Sequence, residues 1–173
     1  MNTFELKIWD DERQRCTFYT ILQDGADEDE TDRFFLKYEN DPTFTDAVQE
    51  LLSFILLSIG DDHGAVDSLF NRSENEVKGL PAQGKVMIDE FIYHFPNFPL
   101  RLYALKITEE IVVLFNGGIK DGTTNQNSSL HMQWVEACQF AKRIDEARRL
   151  GEIMIDAPQR KLTNRKGGDE IIL

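Results

Sequence analysis

The stretch FPLRLYALKITEEIVVLFNGGIK, residues 98–120, decides the fold. It holds two β-prone runs, Leu100 to Ile107 and Ile111 to Phe115, with only Thr108-Glu109-Glu110 between them. Three residues suffice for a tight turn and nothing more, so the runs are expected as neighbouring antiparallel strands. Side chains alternate along a strand: Leu100, Leu102 and Ala104 share one face, and Arg101 and Tyr103 share the other. The closing FNGGIK is not a phosphate loop. A P-loop needs GxxxxGK[ST] opening a helix, and Gly117 to Thr124, GGIKDGTT, has neither the spacing nor a prompt helix; a GxGxxG turn is absent as well. FNGGIK is therefore read as a strand exit. Its two glycines supply positive φ or permit close backbone approach, and Lys120 is either a functional cation or a surface residue.

Upstream of this pair, Val86 to Phe95, VMIDEFIYHF, is bounded by PNFP at 96–99 and is expected as the third strand of an antiparallel meander. Downstream, Leu130, Trp134, Ala137, Ala141 and Ile144 keep helical spacing, so a long helix is expected over Leu130 to Leu150, capped by Ser128 or Ser129 and ended by Gly151. At the N-terminus, Phe4, Leu6 and Ile8 alternate with polar residues, and Cys16 to Leu22 is a second β-prone run; the two form a candidate hairpin. A helix at Glu30 to Glu39 and another from Asp41-Pro42 to Ile59, stopped by Gly60, read as a helical hairpin. Ile153 to Ile155 is a short strand, and Ile171-Ile172-Leu173 is suited to return to a sheet edge. These expectations define an α+β fold: N-terminal strands, a helical hairpin packed on an antiparallel β-meander, and a long helix after the meander. The chain reads as a single α+β domain over 1–173, with 1–41 as an acidic N-terminal extension and 42–155 as the core.

The 173 residues carry a net charge of −12, unevenly spread. Residues 1–90 hold 21 acids against 8 bases, and residues 91–173 hold 10 against 11. An acidic surface repels phosphate backbones, so a nucleic-acid role belongs to the second half. Asp24 to Asp32, DGADEDETD, lacks the ligand spacing of a calcium loop and is read as a solvated loop whose late acids favour the next helix N-terminus. Asp61-Asp62-His63 resembles a metal triplet, but adjacent loop residues rarely face one ion. No metal and no cofactor are expected. Cys16 and Cys138 lie far apart without CxxC spacing and are read as reduced thiols. No run of 18 apolar residues occurs and the first residues lack a leader pattern, so the expected setting is cytoplasmic, without membrane contact.

The order of helical hairpin, RLYALK strand, apolar strand, NGGIK and amphipathic helix resembles the RelE/ParE/HigB toxin superfamily, best over residues 80–144. The resemblance implies a RelE-like core and a ribosome-associated endoribonuclease that cuts messenger RNA and is neutralised by an antitoxin protein. It places Arg101 on a central strand and Lys120 at a strand exit as the cations that stabilise charge on the scissile phosphate, with Tyr103 stacking on a base or taking part in proton transfer. No metal is implied. Asp121, where the family carries another cation, and the net charge both depart from that pattern. The alternative on the same fold is a catalytically silent domain that binds another protein through its acidic half or an exposed strand edge.

Overall fold

A computed structural model describes residues 2–71, 76–120 and 129–173; Asp121 and the candidate cap Ser128 lie outside these. The central element is a five-stranded sheet built from β1 (Phe4–Asp10), β2 (Thr17–Gln23), β3 (Val77–Leu80), β6 (Leu100–Thr108) and β7 (Ile111–Ile119), in the order β1-β2-β7-β6-β3. The strands β6 and β7 pair antiparallel, with Leu100 opposite Ile119 and Thr108 opposite Ile111, as the short turn requires. The β1–β2 hairpin is also antiparallel, and it joins β7 through a parallel β2–β7 pair, Thr17 opposite Ile111. The sheet is thus mostly antiparallel with one parallel seam. Residues 4–39 lie inside the same sheet and the same cores as residues 42–155.

Both faces of the sheet are covered. The even-numbered apolar residues of β6 and β7, Leu100, Leu102, Ala104, Val112 and Leu114, bury against α1 (Glu30–Glu39), α2 (Thr45–Ser53) and the segment that continues it. Tyr103, Leu105, Ile111, Val113 and Phe115 bury on the opposite face under α3 (Ser129–Arg149). Phe140 of α3 packs edge-on to Phe4 at 5.0 Å and stacks on Phe115 at 6.0 Å between centroids, pairs worth about 0.5–1.5 kcal/mol each beyond the area they bury. Ala137, Ala141 and Ile144 are buried beside it, with Leu130 and Trp134 half-buried at the margin, following the stripe read from the sequence. Gly151, at φ 76, ends α3 where a left-handed residue is needed.

Two expected elements are corrected. The run 86–95 is not a meander strand: it folds into its own hairpin, β4 (Lys85–Ile88) and β5 (Phe91–His94), around a turn in which Asp89 takes φ 51. The third strand beside β6 is Val77–Leu80, whose polar surroundings masked it; Val77, Gly79 and Leu80 are nonetheless buried. The second helix also departs from an ordinary winding. It is α-helical over Thr45–Ser53 and then π-helical over Phe54–His63, ending at Gly64 with φ 77. Gly60 lies inside this segment. Its carbonyl accepts from Arg15 N at 2.7 Å and Cys16 N at 3.1 Å, and Arg13 Cγ would lie only 2.7 Å from a Cβ there.

The C-terminal residues close the β1 edge: Phe4 N donates to Leu173 O and Leu6 N to Ile171 O, each at 2.9 Å. The basic stretch after β8 (Ile153–Asp156) forms a further strand, β9 (Lys161–Asn164), in a second small hairpin. Among the described residues no helix is long and apolar enough to cross a membrane.

Candidate functional site

The alternation that carries Leu100 and Leu102 into one core turns Arg101 and Tyr103 to the other face. Glycines make that face passable. Arg101 lies across Gly79 of β3, where a Cβ would stand 3.0 Å from Arg101 Cδ, and it faces Gly118 in the β6–β7 register. Gly117 is needed for a different reason: a Cβ on it would fall 1.9 Å from the Arg101 carbonyl oxygen. The two strands therefore approach more closely here than any side chain permits. The strand β7 continues through Ile119, so FNGGI lies within it and Lys120 is the first residue beyond; Lys120 N donates to Pro99 O at 2.7 Å.

A bulge sits inside this stretch. Leu102 pairs with Gly117 and Ala104 with Leu114, leaving Phe115 and Asn116 opposite the single residue Tyr103. The bulge is held by the first turn of α1. Thr31 Oγ1 donates to the Leu114 and Phe115 carbonyls, both at 3.1 Å, and meets Thr20 Oγ1 at 2.7 Å. Asn116 Nδ2 donates to the buried carboxylate Glu30 at 3.0 Å, and Asn116 Oδ1 accepts from Gly117 N at 2.7 Å. Asp29 caps α1 by accepting from Asp32 N at 2.8 Å; burial pushes its pKa up, partly opposed by that hydrogen bond.

Arg101, Lys120 and Tyr103, distant or merely alternate in sequence, come together at one place. Gln83, in the loop after β3, joins them: with its amide oxygen turned inward it accepts from Arg101 Nη2 at 2.8 Å and Lys120 Nζ at 2.5 Å. The Arg101 charge also lies close enough to the Tyr103 hydroxyl to act on its pKa. No carboxylate among the described residues lies within ion-pair distance of Arg101 or Lys120. Lys106, on the same strand as Arg101, is by contrast shared with Lys78 by Asp67, at 2.9 and 3.2 Å. Burial lowers the Lys120 pKa, and the neighbouring Arg101 charge lowers it further. Burial raises the Tyr103 pKa, against the pull of Arg101, so its hydroxyl stays protonated.

Two cations aimed at one oxygen form an anion site, in which a phosphate oxygen can take the place of the Gln83 amide oxygen. The Tyr103 ring is only 6% exposed beneath α3. It has no open face for a base. Gln83 went unnoticed in the sequence because it lies in a polar stretch with no pattern to distinguish it.

The residues of the apparent metal triplet go separate ways. Asp61 accepts from Gln14 N at 2.9 Å and pairs with Arg13 at 3.4 Å, tying down the β1–β2 turn, while His63 Nε2 meets the Tyr93 hydroxyl at 2.8 Å. Cys16 and Cys138 do not pair with each other; burial pushes the Cys16 thiol up to about 12.

No family model, curated protein or solved structure matches this chain. The chain is a mixed α+β protein with helices on both faces of a mostly antiparallel sheet, and Arg101 of β6 and Lys120 just after β7 form a cationic cluster.

Proposed function

We propose that the chain is a RelE/HigB-like toxin or a derivative of one: a cytoplasmic, metal-independent endoribonuclease that cuts messenger RNA at the ribosome and is held inactive by an antitoxin protein. The observation that carries this reading is the convergence of Arg101 and Lys120 on a single oxygen position, with no carboxylate among the described residues paired to either. Such a pair neutralises the non-bridging oxygens of a phosphodiester as the 2′-hydroxyl attacks phosphorus, stabilising charge that develops only in the transition state. The lowered pKa of Lys120 suits it to protonate the departing 5′-oxygen. Tyr103 lies beside the guanidinium, buried beneath α3. The second reading, a catalytically silent interaction domain on the same fold, is favoured by the acidic first half, which disfavours contact with ribosomal phosphates.

Induced expression in a bacterial host separates the two. Wild-type protein is expected to arrest growth and translation, and Arg101→Ala with Lys120→Ala to relieve the arrest while retaining the wild-type circular dichroism spectrum. Purified protein is expected to cleave ribosome-bound messenger RNA in the presence of a chelator. Normal growth despite abundant soluble wild-type protein would leave the silent domain as the better account.

A further inference from the structure

We propose that the groove between the α2/π-helical segment and the β4–β5 hairpin is a docking site for a basic amphipathic helix of a partner protein. One wall is a stripe along the helix, Asp46, Gln49, Glu50, Ser53, Leu57 and Asp62; the other is the aromatic row Phe91, Tyr93 and Phe95. The groove has a volume of about 660 Å³.

Its walls are rigid. Tyr93 and Phe95 pack edge-on against Phe54 at 5.6 and 4.9 Å, and His63 sits edge-on to Phe91 at 4.7 Å while bonding the Tyr93 hydroxyl. Its apolar lining is nonetheless open. Leu57 is 50% exposed and Phe91 45%. The wider hydrogen-bond spacing of the π-helix brings Ser53, Ser58 and Asp62, four or five residues apart, onto one face; an α-helix would fan them around its axis. Such windings cluster at functional sites.

Charge decides the occupant. Asp46, Glu50 and Asp62 line the groove, and among the described residues no lysine or arginine does. None of the three carboxylates is engaged in an ion pair among the described residues, whereas neighbouring Asp61 is engaged by Arg13. An apolar floor with an unneutralised acidic rim is complementary to a helix with an apolar stripe flanked by lysine and arginine. The helical wall spans roughly 20 Å, enough for a segment of about 14 residues at 1.5 Å per residue. The site lies on the face of the sheet opposite Tyr103 and does not depend on the nuclease reading.

The test is fluorescence anisotropy with a labelled synthetic peptide of about 18 residues, made of leucine and lysine with leucine at i, i+3, i+4 and i+7. A peptide of the same composition, scrambled to destroy the stripe, is the first control. The amphipathic peptide is expected to bind at least about tenfold more tightly than the scrambled one, and Leu57→Glu or Phe91→Ser to weaken it by about tenfold or more. Both substituted side chains are half exposed, so the fold is expected to survive, as circular dichroism will check. Asp46→Asn with Glu50→Gln and Asp62→Asn is expected to weaken binding and reduce its salt dependence. The same loss of charge at Asp24, Asp27 and Glu28, in an acidic loop elsewhere, is expected to change little. Equal binding of the scrambled peptide, or equal effects of the two charge triplets, would reduce the interaction to general attraction by an acidic surface and overturn the proposal. A concentration-dependent dimer in sedimentation that Leu57→Glu dissolves would also overturn it, by making a second copy of this chain the occupant.

Discussion

Replacing Gly117 with alanine tests the close approach of β6 and β7 that positions Arg101. The new Cβ would stand 1.9 Å from the Arg101 carbonyl oxygen, 2.8 Å from its carbonyl carbon and 2.9 Å from Leu102 Cα. All three atoms are main chain, so no side chain can swing away. Ordinary contact begins at 3.4 Å, and the strands must part locally by about 1.5 Å to reach it. That separation breaks one or two ladder hydrogen bonds, at about 0.5–1.5 kcal/mol each. Overpacking a filled sheet adds about 1–3 kcal/mol. The expected loss is about 1.5–6 kcal/mol, a large part of the 5–15 kcal/mol that a domain typically has. At this chain length it lowers Tm by roughly 3–24 °C. Gly118→Ala is the internal control: the nearest atoms to its Cβ, on Leu130, lie at 3.6 Å or beyond, and the expected change is under about 1 kcal/mol. Urea unfolding followed by tryptophan fluorescence, with circular dichroism as a second probe, measures both. Losses that agree within about 1 kcal/mol would refute the reasoning, because the two positions are adjacent in sequence and differ only in what the fold places opposite them.

Thr31→Val, close in shape, strips the hydroxyl that joins Thr20 to the Leu114 and Phe115 carbonyls; a loss of about 1–3 kcal/mol is expected in urea unfolding, because buried polar groups are left without a partner. Asp145 has its pKa raised to about 7, chiefly by burial and then by its hydrogen bond to Glu76. A carboxyl that holds its proton more tightly when folded contributes stability at pH 4 that is lost as pH rises towards 7. Asp145→Asn is therefore expected to flatten the fall in stability over that range, as read from urea midpoints at successive pH values. Cys16, fully buried with its pKa raised to about 12, is expected to resist iodoacetamide in the native protein and to react once the chain is unfolded, as mass spectrometry of the labelled peptides will report. Arg101→Ala removes the charge that helps lower the Lys120 pKa, so the pH at which phosphate binding weakens is expected to move upward in an NMR titration.

Much of the architecture was legible because local periodicity carries it. Period-two alternation through Leu100 to Ile107 separates the two cores, and the helical stripe from Leu130 to Ile144 names the face α3 buries; neither depends on distant contacts. The pairing of strands was less legible. Val77–Leu80 is four residues in polar surroundings, and only the open edge of β6 makes it a strand. The apolar run 86–95 reads as one strand until Asp89 takes a left-handed turn and folds it on itself. The change from α to π winding at Phe54 has no mark in the apolar stripe, which continues unbroken to Ile59.

The candidate site divides in the same way. Sequence alone determines that Arg101 and Tyr103 share a face, because alternation is a property of the strand itself, and leaves open whether the glycines of β7 serve positive φ or close approach, which the fold resolves in favour of close approach at Gly117. Only the tertiary structure decides that Lys120 and Gln83 meet Arg101, that no described acid of the first half forms an ion pair with that cluster, and that Asp61 and His63 take different partners. These are contacts between segments many residues apart, set by how sheet and helices pack, and no local pattern in the chain records them.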